Sequence, residues 1–102
     1  MFDKFLNQPV IIRSAASGVH YGTLLAVKDD VVHLQNSRRL WRWKIAGQGI
    51  SLSEVAIHGI DYNGSKITSV LPDLIVMDVC EIIPAYGMAQ ATIEQAPIAE
   101  AE

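Results

Sequence analysis

Several features that define common protein classes are scarce in this chain of 102 residues. Cys80 is the one cysteine, so the chain can form no internal disulfide and offers no cysteine-based metal site. The three histidines, His20, His33 and His58, lack metal-ligand spacing. Apolar runs such as residues 74–77 are far shorter than the ~18–20 residues of a membrane-spanning helix. The sequence therefore argues against a disulfide scaffold, a metal centre and a membrane segment.

Basic charge is also in short supply. The formal net charge is −3, which argues against general binding to duplex DNA because such binding needs a broad basic surface. The first residues show no basic region followed by a long apolar one, so no secretory signal is predicted. Cys80 has Met77, Val79 and Ile82 as apolar neighbours, which predicts a buried thiol. These observations favour a cytosolic protein.

Apolar residues are abundant: they make up 50% of the chain, and the mean hydropathy is +0.23. A chain of this length forms one domain with a modest core. We therefore expect a sheet that is covered on both faces, or a subunit interface that makes the protein a homo-oligomer.

Short β-branched and aromatic runs separated by polar turns predict an antiparallel meander. The predicted strands cover residues 10–13, 20–27, 31–35, 38–44, 66–70 and 74–83. A short helical turn carrying Phe2, Phe5 and Leu6 precedes them. The expected fold is mainly β, with five or six antiparallel strands in a curved sheet or small barrel.

One short helix is predicted over residues 51–58. Ser51 and Glu54 have the spacing of a capping box, and Gly59 can take the positive φ of a helix end. We assign residues 1–84 to a single β-rich domain. Residues 85–102 form an Ala-rich, acidic C-terminal tail that we expect to be loosely held, or to pack on a neighbouring subunit where it is ordered.

Residues 38–44, here called the Arg/Trp segment, hold both tryptophans and four of the eight Lys and Arg side chains. In a strand, alternate side chains share a face. One face would carry Arg38, Leu40, Arg42 and Lys44, and the other would carry Arg39, Trp41, Trp43 and Ile45.

Two interpretations of the Arg/Trp segment stay open. In the first, both tryptophans fill the core and the basic side chains are solvated. In the second, the segment binds an anionic ligand: Arg38, Arg39 and Arg42 pair with phosphate or carboxylate. Aromatic rings then stack on a base, and the candidate rings are Trp41, Trp43 and Tyr21.

Catalytic patterns are missing from the sequence. Asp78 and Glu81 would lie on opposite faces of one strand, which makes them a poor general acid and base. Residues 47–49 lack the glycine count and the following Lys-Ser/Thr of a phosphate loop. We therefore predict a non-enzymatic protein without a metal or other cofactor.

Five stretches of the chain resemble an uncharacterised family of small proteins from tailed bacteriophages and prophages. They are residues 10–13, 18–24, 32–43, 50–59 and 75–84, so the resemblance covers about residues 10–84. Its most specific part is the Arg-Arg strand with an aromatic pair like Trp41 and Trp43, followed by a Ser-Leu-Ser helix. The resemblance implies a phage origin and expression in a bacterial host.

A weaker likeness connects the chain to Sm-like small barrels. It rests on Gly22-x-Leu24, a turn, and Val32-x-Leu34 with Asn36. Because many bent-strand barrels share this spacing, it serves as a hint about the fold.

Three hypotheses about function follow. The first is a phage accessory or counter-defence protein of the host cytoplasm that self-associates and captures a nucleotide-like anion or a host protein surface. The second is a virion component, such as a decoration or connector protein. The third is an Sm-like RNA-binding ring, which the acidic charge balance disfavours.

Overall fold

The computed structural model describes residues 2–100; for residues 2 and 3 it describes the backbone only. Six strands and two α-helices follow a 3-10 turn at Phe2–Phe5. The strands are β1 (Pro9–Ser14), β2 (Gly18–Lys28), β3 (Val31–Arg42), β4 (Lys66–Ile67), β5 (Leu71–Val76) and β6 (Val79–Pro84). The helices are α1 (Leu52–His58) and α2 (Met88–Glu94). The mainly β fold with an antiparallel sheet is confirmed.

The sheet has the order β4-β3-β2-β1-β6, and β5 also pairs with β3. All of these pairings are antiparallel. β5 and β4 share one edge of β3: β5 pairs with its first half and β4 with its last residues. β5 and β6 follow each other in the chain but lie at opposite edges of the sheet.

This connection forces the sheet to curve. In a flat sheet, β5 and β6 would be about 19 Å apart, since neighbouring strands are about 4.8 Å apart. Only Met77 and Asp78 join the two strands, and three Cα–Cα steps span at most about 11 Å. The Ser14 hydroxyl donates a 2.7 Å hydrogen bond to the Met77 carbonyl and holds this link at the β1–β2 turn. Within the described residues β5 and β6 do not pair, so the sheet stays open.

The two faces of the sheet bury separate apolar clusters. The cluster inside the curve consists of Val10, Ile12, Leu24, Val32, Leu34 and Val76. The second cluster lies under α1 and α2 and includes Ile11, Tyr21, Leu40, Leu52, Val55, Ile60, Ile67, Ala85, Ala89, Ile93 and Ala96. The predicted double coverage of the sheet is therefore achieved within one chain.

Helix α1 matches its prediction within one residue. Gly59 ends it at φ +81° and donates to the Val55 carbonyl at 2.8 Å. The predicted capping box differs in detail: Ser51 is the N-cap, but its hydroxyl donates to the Glu54 carboxylate and caps no backbone amide.

Several sequence-based boundaries need correction. The predicted strands 31–35 and 38–44 are one continuous strand, β3, and the predicted strand 66–70 shrinks to Lys66–Ile67. The predicted strand 74–83 is divided into β5 and β6 by Asp78, whose φ is +56°. Cys80 is exposed, so the prediction of a buried thiol is wrong.

The segment predicted as a loosely held tail packs against the chain's own core. Helix α2 buries Ala89 and Ile93 in the second cluster, and Ile98 forms a parallel bridge to Ile67. The last two residues of the predicted tail lie outside the described residues, as does the side chain of Phe2 in the predicted N-terminal turn.

Candidate functional site

A β-bulge in β3 determines where the side chains of the Arg/Trp segment lie. Leu34 pairs with Leu24, and Arg38 pairs with Tyr21. Between these two pairs, β3 therefore has one more residue than β2. Asn36 sits in this irregular stretch with φ +52°, a conformation that Asn tolerates better than most residues. The extra residue turns Arg38 to the helix-covered face, although Leu34 packs inside the curve.

Arg38 is 3% exposed and its guanidinium binds backbone carbonyls. Its Nε donates to the Thr68 carbonyl at 2.7 Å, and its Nη1 donates to the carbonyls of Ile93 at 2.9 Å and Ala96 at 2.7 Å. The carbonyls of Ile93 and Ala96 belong to the end of α2 and the chain beyond it, where a cation is electrostatically favourable, and the Thr68 carbonyl belongs to the link between β4 and β5. The predicted place of Arg38 on a solvated face is therefore wrong, and its main role here is to hold α2 on the sheet.

Tyr21 lies next to Arg38 on the same face and is also buried. Its hydroxyl donates a hydrogen bond to the Glu94 carboxylate. Burial raises the pKa of the Tyr21 phenol, and the bonded carboxylate raises it further, so the phenol stays protonated and donating. The Tyr21 ring packs in the core and presents no face for stacking on a base.

Arg39 points to the opposite side of the sheet. Its side chain is exposed, and it lines an open cavity of about 260 Å³ that we call the Arg39 groove. The groove is lined by His20, Ser37, Arg39, Thr68, Leu71 and Leu74. The Arg39 amide donates to Thr68 Oγ1 at 2.9 Å, which fixes the backbone below the side chain. Among the described residues, the Arg39 guanidinium forms no ion pair or hydrogen bond.

His20 forms the buried wall of this groove, with 1% exposure. Its Nε2 lies 3.0 Å from the Ser17 hydroxyl, while its Nδ1 is the buried side-chain atom without a hydrogen-bond partner in the described part of the chain. Burial lowers the pKa of His20, and the positive charge of Arg39 lowers it further. The imidazole is therefore neutral near pH 7, and Arg39 supplies the positive charge of the groove.

The three remaining residues of the predicted site are separated. Trp41 lies at a second irregularity of β3, between Leu40 and Arg42, and is 72% exposed, so its ring is open to a planar partner although it does not line the Arg39 groove. Arg42 is exposed at the strand end, where its backbone pairs with Lys66. Trp43 is half-buried against the helix-covered cluster. The structure thus brings Arg38 and Tyr21 together and places Arg39 apart from them, in the Arg39 groove.

His20, Ser37 and Glu94 were not singled out from the sequence as binding residues. Ser37 enters the groove because it follows the bulge at Asn36, and the Asn36-Ser37 pair was visible only as a bend. Glu94 reaches Tyr21 because α2 packs on the sheet, which no local pattern signals. No group of three metal-ligating side chains occurs in the described residues. No helix formed by those residues is long and apolar enough to cross a bilayer.

Comparison with known proteins adds one relationship. Residues 7–93 match the family model described as a domain of unknown function, DUF6948. The match covers every strand and nearly all of α2, so it includes both groups of the predicted site. No curated protein and no solved structure matches the chain. By this match, the chain belongs to the DUF6948 family.

Proposed function

We propose that the chain is a non-enzymatic binding protein that captures a small anionic ligand with a planar ring, such as a mononucleotide, in the Arg39 groove. The observation that carries this proposal is the exposed Arg39 guanidinium, which is unpaired within the described chain and lines an open groove. The exposed ring of Trp41 belongs to the same strand, two residues further along the chain. Arg39 provides a planar fork for phosphate or carboxylate, and Trp41 provides a stacking surface.

The shape and charge of the groove support one anionic group rather than a long nucleic acid. Arg39 is its only cationic residue, while Leu71 and Leu74 give it an apolar wall. The chain as a whole is acidic, so an extended phosphate backbone would meet repulsion beyond the groove. The biological setting that we propose, a phage accessory protein in the bacterial cytoplasm, rests on the resemblance described above.

Isothermal titration calorimetry with AMP, adenosine and inorganic phosphate tests the proposal. We expect AMP to bind more tightly than either fragment, because only AMP engages both Arg39 and Trp41. Arg39→Gln should weaken AMP binding by about 10-fold to 100-fold, the usual effect of losing a charge-assisted hydrogen bond. Trp41→Ala should weaken the binding of adenosine as well as the binding of AMP.

Arg42→Gln is the matched control, since Arg42 is an exposed arginine of the same strand that does not line the groove. It should leave AMP binding unchanged. Undiminished binding by the Arg39→Gln protein would overturn the assignment of the groove, and no binding of AMP to the unaltered protein would overturn the nucleotide as ligand.

Exposed apolar side chains on and beside β5 support self-association as part of this proposal. Leu71, Ile75 and Met77 are 48%, 53% and 64% exposed. β5 is also an edge strand whose outer side has no partner among the described residues. Sedimentation velocity should show a discrete oligomer that Ile75→Asp dissociates; a monomer at every concentration would remove self-association.

The same apolar edge favours a second candidate function, a structural component of a virion. The two candidates differ in copy number. A decoration or connector protein is present in purified particles at a fixed stoichiometry, whereas a cytoplasmic binding protein is absent from them. Quantitative mass spectrometry of particles distinguishes the two.

A further inference from the structure

A second cavity lies on the opposite side of the sheet from the Arg39 groove. We call it the Arg38 cavity; its volume is about 330 Å³. It is lined by Tyr21, Thr23, Asn36, Arg38, Val70 and Glu94. Two of these polar side chains, Tyr21 and Arg38, are each 3% exposed, so their polar groups are positioned by the core and not by surface contacts.

A carboxylate and a guanidinium line this cavity without pairing. Ion pairs between described residues include Arg13–Glu81, His33–Asp73 and Lys44–Asp61, and none joins Arg38 to Glu94. Both groups are held by other partners: Arg38 by backbone carbonyls and Glu94 by the Tyr21 hydroxyl. Opposite charges that share a cavity and are kept apart can be bridged by a molecule that is complementary to both.

Each of the two groups has hydrogen-bonding capacity left. The donors of Arg38 that bind carbonyls are on Nε and Nη1, and its Nη2 makes no hydrogen bond with any described residue. This Nη2 is not among the buried unpartnered atoms of those residues, so it remains accessible. On Glu94, the Tyr21 hydroxyl occupies Oε2 and leaves Oε1 for a second donor.

We propose that the Arg38 cavity binds a small zwitterion of the α-amino acid type. Its carboxylate accepts hydrogen bonds from Arg38 Nη2, and its ammonium group donates to the Glu94 carboxylate. Thr23 and Asn36 add polar contacts, and Val70 limits the size of the side chain that fits at the rim. This site is independent of the Arg39 groove because the two arginines face opposite sides of β3.

Two-dimensional ¹H–¹⁵N NMR with glycine as the probe tests this proposal. We expect glycine to cause saturable shifts at the amides of Thr23, Val70 and Glu94. Acetate and methylammonium carry one charge each, and at equal concentration they should cause much smaller shifts. Absence of saturable shifts with glycine, or equal shifts with acetate alone, would overturn the proposal.

Glu94→Gln is the diagnostic variant because it removes the charge and keeps an oxygen that accepts from Tyr21. It should weaken glycine binding at least 10-fold with an unchanged circular dichroism spectrum. Glu100→Gln, an exposed glutamate outside the cavity, is the matched control and should bind like the unaltered protein. Unweakened binding by Glu94→Gln would exclude this cavity as the site.

Thr23→Val gives a second check that does not alter any charge. It should reduce glycine binding severalfold. Arg39→Gln should leave glycine binding intact, and a loss there would place the ligand in the Arg39 groove and overturn the assignment.

Discussion

Arg38 and Arg39 are neighbours in the chain, and their side chains lie on opposite sides of the sheet. Arg38 is buried under α2 and donates to four backbone carbonyls, whereas Arg39 is exposed in an open groove without a partner in the described chain. Arg38 thus uses its Nε and Nη1 donors to hold the fold, whereas the whole Arg39 guanidinium is available to a ligand. Substitution of Arg38 should therefore lower stability, whereas substitution of Arg39 should lower binding in the Arg39 groove and leave stability unchanged.

Replacing Arg38 should destabilise the protein. Arg38→Met leaves the carbonyls of Thr68 and Ala96 without their donor, while the Ile93 carbonyl keeps the Ala96 amide; one unsatisfied buried acceptor costs about 1–3 kcal/mol. We expect a loss of about 3 kcal/mol in the free energy of unfolding, measured by urea denaturation. Arg42→Met, at an exposed position of the same strand, should change it by less than about 0.5 kcal/mol. Equal stability of the two variants would contradict the role assigned to Arg38.

Stability should fall in mildly acidic solution because of His20. The pKa of His20 is lowered in the folded protein by burial and by Arg39, so between that pKa and the unfolded value of 6.5 the unfolded chain binds a proton that the folded chain does not. The stability that neutral His20 contributes is therefore fully present above pH 6.5, and it is lost as the pH falls toward the pKa of His20 in the folded protein. The slope is at most about 1.4 kcal/mol per pH unit.

Urea denaturation between pH 7.5 and pH 5 measures this dependence. His20→Gln should flatten the curve in this range. His58→Gln, at an exposed histidine of α1, should keep the slope of the unaltered protein. A slope that survives His20→Gln would assign the proton uptake to another group.

Gly22 has a close neighbour in the β3 bulge. A Cβ atom at this position would lie 3.2 Å from the Gln35 carbonyl oxygen and 3.2 Å from Leu34 Cβ. Gly22→Ala should cost about 1–3 kcal/mol, the usual penalty for overpacking. Because the bulge sets which side chains face each side, the variant should also weaken binding in the Arg39 groove. Urea denaturation measures this cost, and an unchanged free energy of unfolding would contradict the close approach of β2 and β3 at Gly22.

The two tryptophans should differ in fluorescence. Trp41 is open to solvent, while Trp43 packs against the helix-covered cluster. In Trp43→Phe, the remaining Trp41 should emit like free tryptophan and be strongly quenched by acrylamide. In Trp41→Phe, the remaining Trp43 should emit at shorter wavelength and be quenched less. Equal quenching of the two variants would contradict the assigned orientations.

Local signals in the sequence were sufficient to predict most strands and α1. Alternating apolar residues, polar turns and the Ser51 to Gly59 pattern depend on neighbours in the chain, and these are what a sequence displays. The division at Asp78 depends on contacts with distant residues: the Asp78 carbonyl accepts from the Ala15 amide at 3.0 Å, and the Val79 amide donates to the Asp30 carbonyl at 2.9 Å. Such contacts cannot be read from residues 74–83 alone.

The candidate site was predictable in composition but not in arrangement. Simple alternation along residues 38–44 placed Arg38 with Arg42 and placed Trp41 with Trp43 on shared faces. The bulge at Asn36 sets which face receives Arg38 and which receives Arg39. A second irregularity between Leu40 and Arg42 breaks the alternation, so Trp41 is exposed while Trp43 packs against the helix-covered cluster. The helix that receives Arg38 lies in the segment predicted as a loosely held tail, partly helical or disordered, because its small alanines gain burial only once the sheet is in place.

The two-residue link between β5 and β6 also constrains the order of folding. β5 pairs with β3 and β6 pairs with β1, and both pairings can exist together only once β1, β2 and β3 have formed two hairpins and curled, because the short link reaches both edges only across a curved sheet. We therefore expect β5 and β6 to dock together as the late step. Because only two residues connect them, neither strand should dock stably without the other. In a chain cut between Met77 and Asp78, β5 and β6 should dock independently.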